Sequence, residues 1–320
     1  VVAPDRQSEH PDLDPEVAEL LPALNTGFPA VETMTGAQAR AAVRARFRPP
    51  TAPRPVGAVR DSVIPVGLPV RIYWPAMPLT CPLPLVVFAH GGGFVFCDLD
   101  THDDLCRSLA NDIGAVVVSV DYRLAPESPW PAAAEDLYAA VCWAAERAGE
   151  LGADAARLVV AGDSAGGNLA AVTAILARDR GGPRIAGQAL LYPVIAADFT
   201  TQSYRQFATG YYNTAAAMAW YWDQYIPEVS DRTHPHASPL HADLSGLPPA
   251  VVLTAGFDPL RSEADQYAEA LAAKGVPVLH RRYCGAIHGF MTMPALAVAG
   301  EARRRVAGDI SSILKRCADD

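Results

Sequence analysis

Short, apolar, β-branched runs recur along this chain, and longer segments with helical periodicity separate them. The runs are Leu85 to His90, Ala115 to Asp121, Arg157 to Gly162, Ala186 to Tyr192, Ala250 to Thr254 and Val278 to Tyr283. The first of these is apolar on both faces, as a central parallel strand must be. Helical patterns cover about 98–112, 132–149, 262–273 and 296–315, and a further helix opens at Ser164. Gly275 closes the third of them. Strands separated by helices of ten or more residues predict an α/β fold, a mostly parallel central sheet with helices on both faces. Val59 to Pro65 and Leu68 to Trp74, joined through Gly67, read as a hairpin that adds an antiparallel edge.

Two stretches stand outside this rhythm. In the first fifty residues, Asp14-Pro15-Glu16 starts a helix that carries Val17, Leu20, Leu21 and Leu24, and a second spans roughly Thr35 to Phe47. Both are too small to enclose a core, so they are expected to lie over apolar surface of the main domain. The second stretch, Pro193 to Pro249, carries Phe199, Tyr204, Phe207, Tyr211, Tyr212, Trp220, Tyr221, Trp222 and Tyr225. Its place beyond a C-terminal strand edge suits the roof of a pocket, with a satellite core of packed rings as the alternative.

Composition narrows the classes. A chain of 320 residues, half of them hydrophobic, can bury a thick core, and its formal net charge of -9 disfavours nucleic acid and anionic membrane as partners. No apolar stretch approaches the ~20 residues that a spanning helix needs. The opening Val-Val-Ala-Pro-Asp-Arg has no basic segment ahead of an apolar one. Cys81, Cys97, Cys106, Cys142, Cys284 and Cys317 are dispersed without C-x-x-C, so free thiols and a cytoplasmic location are expected.

The chemistry centres on Leu158 to Val172. An apolar run stops at Gly162 and a small-residue helical pattern begins beyond Ser164, so Gly162-Asp163-Ser164-Ala165-Gly166 lies at a sharp strand-to-helix turn. This is the G-x-S-x-G arrangement, in which the glycines relieve crowding and the helix N-terminus favours developing negative charge. An ordinary glycine-rich turn is the bland reading of the same five residues. A serine hydroxyl becomes a nucleophile only when a base takes its proton and a third group orients the base. Asp258 and His288 each lie beyond a strand's C-terminal end on the elbow's edge of the sheet, and serve as candidate orienting acid and candidate base. A helix N-cap is the alternative for Asp258, and an ordinary loop histidine for His288.

Upstream, His90-Gly91-Gly92-Gly93-Phe94 follows a strand. Its backbone N–H groups at Gly92 and Gly93, with that of Ala165, are the candidate oxyanion donors. The stretch lacks both G-x-G-x-x-G spacing and a following Gly-Lys-Ser/Thr, which excludes a phosphate loop. His90 is expected to shape the loop and not to act as a second base. Asp163 is expected to hydrogen-bond locally or to tune the site by its charge. His234, His236 and His241 flank prolines without acidic or sulfur partners at ligand spacing, so neither a metal nor a cofactor is expected.

Taken together, His90-Gly91-Gly92-Gly93, Asp121-Tyr122-Arg123-Leu124-Ala125-Pro126-Glu127, Gly162 to Gly167, Ser238-Pro239-Leu240, Asp258-Pro259-Leu260 and His288-Gly289-Phe290 run in order over about 56–315. In this they resemble the bacterial hormone-sensitive-lipase-like esterases of the α/β-hydrolase superfamily, and among them acetylesterases of the heroin-esterase kind. The resemblance implies a single α/β-hydrolase domain over 1–320 with a helical cap formed by about 1–50 and 196–235. It also implies a charged network of Asp121, Arg123 and Glu127 behind the active-site loops, short acyl groups, and a homodimer through the terminal helix or an edge strand. Ser262 departs from the acid that relatives carry before Glu263, and Asp258 is retained.

The reading that joins these signals is a serine carboxylesterase acting through an acyl-enzyme on a small-molecule ester, with an apolar or aromatic alcohol suggested by the cap. An amidase with the same triad is the second reading. A non-catalytic small-molecule binding protein on this scaffold is the third, disfavoured because all three triad members are present.

Overall fold

A computed structural model describes residues 12–77 and 82–319, with side chains to 315. Residues 1–11 of the expected cap and Cys81 lie outside the described residues, as does the side chain of Cys317. One eight-stranded sheet runs through the described residues. Its strands are β1 (Ala58–Val63), β2 (Pro69–Trp74), β3 (Leu83–Ala89), β4 (Val116–Val120), β5 (Ala153–Asp163), β6 (Gly187–Leu191), β7 (Ala250–Phe257) and β8 (Val278–Ile287). The spatial order is β1-β2-β4-β3-β5-β6-β7-β8. The β1–β2 and β2–β4 pairs are antiparallel, and every later pair is parallel.

The central strands are apolar on both sides because both sides are covered. Along β3, Leu85, Val87 and Ala89 enter one hydrophobic cluster while Val86 and Phe88 enter the other, as side-chain alternation requires. The first cluster includes α4 (Ala132–Glu146), α5 (Ala165–Asp179) and α8 (Arg261–Ala273). The second includes α3 (Asp103–Ile113) and α9 (Ala297–Asp319). Helix α3 starts later than its periodicity predicts, because Asp98 accepts the N–H groups of Asp100 and Thr101 in a local turn.

The two early helices form as expected. In α1 (Pro15–Gly27) Asp14 caps the first turn, and in α2 (Gly36–Arg46) Thr35 and Gln38 form a reciprocal capping box. Val17 and Leu21 of α1 join the α3/α9 layer, whereas Ala39 of α2 joins the opposite one. The aromatic stretch supplies α6 (Gln202–Gln206) and α7 (Ala215–Tyr225).

The expected Asp121–Arg123–Glu127 network does not form as one unit. Arg123 turns to Asp136 at 2.7 Å, Glu127 pairs with Arg40 of α2 at 2.6 Å, and Asp121 makes no ion pair among the described residues. Arg123 and Glu127 find their partners on different helices and thereby tie the loop to both.

Candidate active site

The sheet register assembles the site. Asp163 of β5 lies opposite Leu191 of β6, and Phe257 of β7 opposite Ile287 of β8. Ser164, Asp258 and His288 are each the next residue along, so all three emerge at one sheet edge. At the elbow Ser164 has φ 54° and ψ -118°, a conformation that costs an L-residue about 1–3 kcal/mol. It is held there by Ser164 N–H donating to Leu191 C=O at 2.9 Å, and by Val194 N–H donating to Ser164 C=O at 3.1 Å. A Cβ on Gly166 would strike the backbone carbonyl of Ala89, and one on Gly162 the carbonyl of Gly166. The elbow can pack against β3 only with glycine at both positions.

Ser164 Oγ and His288 Nε2 are 2.8 Å apart, and His288 Nδ1 and Asp258 Oδ2 are 2.7 Å apart. Asp258 is not the helix N-cap, a position that falls to Leu260; its Oδ2 faces the imidazole while Oδ1 accepts Leu260 N–H at 2.9 Å in the turn ahead of α8. The turn contact fixes the carboxylate's rotation, and the carboxylate orients the ring. Tyr192 packs edge-on against His288 with centroids 5.1 Å apart, a contact that the sequence reading missed. All three residues are nearly excluded from solvent, with Ser164 and His288 each 8% exposed.

Gly92 and Gly93 line the same cavity as Ser164 and His288. None of the described hydrogen bonds uses their N–H groups, and Ala165 N–H lies at the start of α5, where no intrahelical acceptor exists. The loop is fastened from below by Asp163, whose Oδ1 accepts Gly91 N–H at 2.8 Å and lies 3.1 Å from His102 Nε2. A Cβ on Gly91 would come within 2.6 Å of Asp163 Oδ2, so glycine is required there as well. Burial opposes the charge on Asp163, but His102 and the Gly91 N–H outweigh it and hold the carboxyl below its ordinary range. The tethering role of His102 had no signal in the sequence.

His90 is wholly buried, stacks on Tyr122 with centroids 4.3 Å apart, and has Nδ1 2.7 Å from Gly91 C=O. Burial lowers its pKa to about 4, so at neutral pH it is an uncharged spacer under the loop. His234 packs on Trp130 and His236. Among the described residues no group of three or more His, Cys, Asp or Glu could hold a metal ion. Cys97, Cys106, Cys142 and Cys284 are free thiols.

The cavity above Ser164 encloses about 100 Å³. Its roof joins Phe28, just past α1, to Tyr212 and to Met218 and Tyr221 of α7. Asn25 clamps the two parts together: its Nδ2 donates to Gly210 C=O at 2.8 Å and its Oδ1 accepts Tyr212 N–H at 2.9 Å. Phe28 then meets the Tyr212 ring edge-on at 5.1 Å. The aromatic stretch therefore divides. Tyr212 and Tyr221 line the cavity, whereas Tyr225 stacks on Phe94 at 3.8 Å and Trp222 and Tyr204 are buried in the core. Ser262 stitches this region to the acid loop. Its Oγ accepts Ser203 N–H at 3.1 Å, and Ser203 Oγ accepts Ser262 N–H at 3.0 Å while donating to Pro259 C=O at 2.6 Å.

Residues 86–292 match the family model described as an alpha/beta hydrolase fold. The chain is 42% identical over 304 residues to carboxylesterase NlhH of Mycobacterium tuberculosis, spanning 90% of this chain and 93% of the relative. It belongs to the α/β-hydrolase-fold family of carboxylic ester hydrolases. The esterase is also similar to the ethyl acetate hydrolase of Pseudomonas putida, 39% identical over 235 residues that cover 72% of this chain and 73% of that one. A solved hyperthermophilic esterase of the archaeon Pyrobaculum calidifontis superposes with a TM-score of 0.87 at 42% identity, covering 95% of this chain and 99% of that one. Among the described residues of the esterase no helix is long and apolar enough to cross a membrane.

Proposed function

We propose that the esterase uses Ser164 as nucleophile, His288 as general base and then acid, and Asp258 as the carboxylate that orients and stabilises the imidazolium. The observation that carries this reading is the unbroken line of contacts from Ser164 Oγ through His288 to Asp258, 2.8 and 2.7 Å long, at the floor of the cavity. His288 Nε2 takes the serine proton as Oγ bonds to the ester carbon, and the carbonyl oxygen becomes an oxyanion facing the N–H groups of Gly92, Gly93 and Ala165. Collapse breaks the bond to the alcohol oxygen, which receives the proton from His288. Water then attacks the acyl carbon while His288 takes its proton, and collapse breaks the bond to Ser164 Oγ, which receives that proton from His288 as the acid leaves.

The substrates are short-acyl, chiefly acetyl, esters of apolar or aromatic alcohols. A roof of Phe28, Tyr212, Met218 and Tyr221 over about 100 Å³ supports this reading, since little more than a small ester fits beneath it. The activity named for the Pseudomonas putida relative agrees. On this reading the chain is a hormone-sensitive-lipase-like esterase of the acetylesterase kind, capped by about 1–50 and 196–235 and working in the cytoplasm, where its free thiols persist.

The test is hydrolysis of p-nitrophenyl esters from acetyl to decanoyl before and after phosphonate labelling, with the labelled residue mapped, beside a matched p-nitroanilide. Acetyl or propionyl is expected to give the highest kcat/KM, and the label to sit on Ser164. A label elsewhere in active protein overturns the triad, an octanoyl optimum overturns the short acyl group, and an anilide rate at or above the ester rate reverses the choice of ester over amide.

A further inference from the structure

Asn213 is a polar feature of the cavity that the mechanism leaves unused. Its side chain is 8% exposed, it lines the same cavity as Ser164 and His288, and its buried Nδ2 has no hydrogen-bond partner among the described residues. An orphaned buried donor is an expensive feature, since its lost hydration is not replaced. Leucine has the same branched skeleton, though bulkier, and would carry no such penalty, and the wall nearby already holds Phe28, Met218 and Tyr221. A cavity meant only for hydrocarbon gains nothing from an amide there.

The backbone around the amide is fixed on both sides. Tyr212, in the left-handed region at φ 70°, is held by Asn25, and Asn213 N–H donates to Tyr211 C=O at 2.9 Å. Thr214 then caps α7, its side chain accepting Ala217 N–H at 3.1 Å. The amide is therefore presented on a braced segment, the preorganisation that makes one hydrogen bond count in recognition. Thr292, another polar side chain of the wall, already donates its hydroxyl to Gly289 C=O at 2.8 Å and has no free proton to offer.

We propose that Asn213 is a specificity-determining residue whose amide donates to an acceptor oxygen carried by the substrate outside the scissile ester. The favoured substrates are then small oxygenated esters, with an ether, keto or hydroxyl oxygen a few bonds from the carbonyl, over hydrocarbon esters of equal size. The inference rests on the ester-hydrolase reading of Ser164 and adds the polar character of the substrate to it.

Two isosteric pairs test it in the full chain. 2-Ethoxyethyl acetate against pentyl acetate places one ether oxygen on the alcohol side, and ethyl 3-methoxypropanoate against ethyl pentanoate places one on the acyl side. Within each pair the ratio of kcat/KM values is compared between wild type, Asn213→Leu and Asn213→Ala. In both variants the ether-to-hydrocarbon ratio of at least one pair is expected to fall about tenfold, the worth of one hydrogen bond, and the pair that moves names the side that Asn213 reads. Asn213→Leu is also expected to melt no lower than wild type, because it removes an orphan donor. Ratios within twofold of wild type for both pairs, in whichever variants fold, overturn the proposal. A uniform loss on all four esters with a lower melting temperature does so too, since it makes Asn213 structural. A wild type inert to all four esters and unlabelled by phosphonate removes the reading of Ser164 and this inference with it, whereas an active wild type with unmoved ratios removes this inference alone.

Discussion

The floor and the roof of the cavity are built by different means. The floor rides on β5, β7 and β8, so Ser164, Asp258 and His288 each follow directly on a strand whose place is set by paired backbone groups along its length. The roof is a coalition of Phe28, Tyr212, Met218 and Tyr221 from segments distant in sequence, joined by one asparagine amide and a few ring edges. The reactive geometry thus shares the stability of the whole sheet, whereas the geometry that meets the substrate depends on a handful of local contacts. Reaction type and substrate choice can therefore change separately in this molecule.

The largest expected effect strikes the floor. Ser164→Ala should lower kcat for p-nitrophenyl acetate by about 10⁵-fold or more and abolish phosphonate labelling while leaving the melting temperature within a few degrees. Substantial turnover in that variant would separate the floor from the chemistry altogether.

Asp163→Asn asks whether the glycine loop belongs to the floor. With the charge on its tether gone, kcat should fall about 100-fold, the scale of one lost oxyanion donor, with KM little changed and Ser164 labelled more slowly. A loss below threefold would mean that Gly91 to Gly93 hold their place without Asp163.

His90 probes the same support through pH. Its pKa falls from the ordinary 6.5 to about 4 in the fold, so between those values the unfolded chain binds the extra proton. Stability must then decline as pH drops through that window, by about 3 kcal/mol in all. Glu263 acts in the opposite sense. Burial raises its pKa well above 4.5, so its contribution is complete below that pH and is lost as pH rises. Comparison with His90→Gln isolates the histidine: urea melts at intervals from pH 4 to 7 should show a flatter profile in the variant, and an unchanged slope would refute a neutral His90.

Asn25→Ala loosens only the roof, and its effect should be the smallest. Losing two exposed hydrogen bonds is expected to raise KM for p-nitrophenyl acetate about two- to fivefold, to leave kcat nearly constant, and to improve butyryl relative to acetyl esters. A fall in kcat that matched the rise in KM would couple roof to floor and erase the distinction.

The same contrast decides what could be read from the sequence. The alternation of strands and helices, the elbow, the glycine loop and the cap at Asp14 are local patterns, in which residues near in sequence dictate backbone conformation. The late start of α3 escaped because a side-chain turn at Asp98 outbid its helical periodicity. The division of the aromatic stretch escaped because a tyrosine that lines a cavity and one that stacks in a core have the same composition. The partners of Arg123 and Glu127 escaped because ion pairing depends on which helix packs nearby, and Asp136 and Arg40 lie on helices outside the motif.

By itself the sequence determined the α/β fold class, the order of its elements and the serine, acid, histidine succession, because hydrophobic periodicity and turn chemistry act over a few residues. Only the tertiary structure decided the strand order, the tether of His102 and Asp163 under the glycine loop, the Asn25 clamp and the unpartnered amide of Asn213. Each of these joins residues far apart along the chain or depends on what a side chain fails to meet. Contacts of that kind come into being only when the sheet has closed its register and set the roof over the floor.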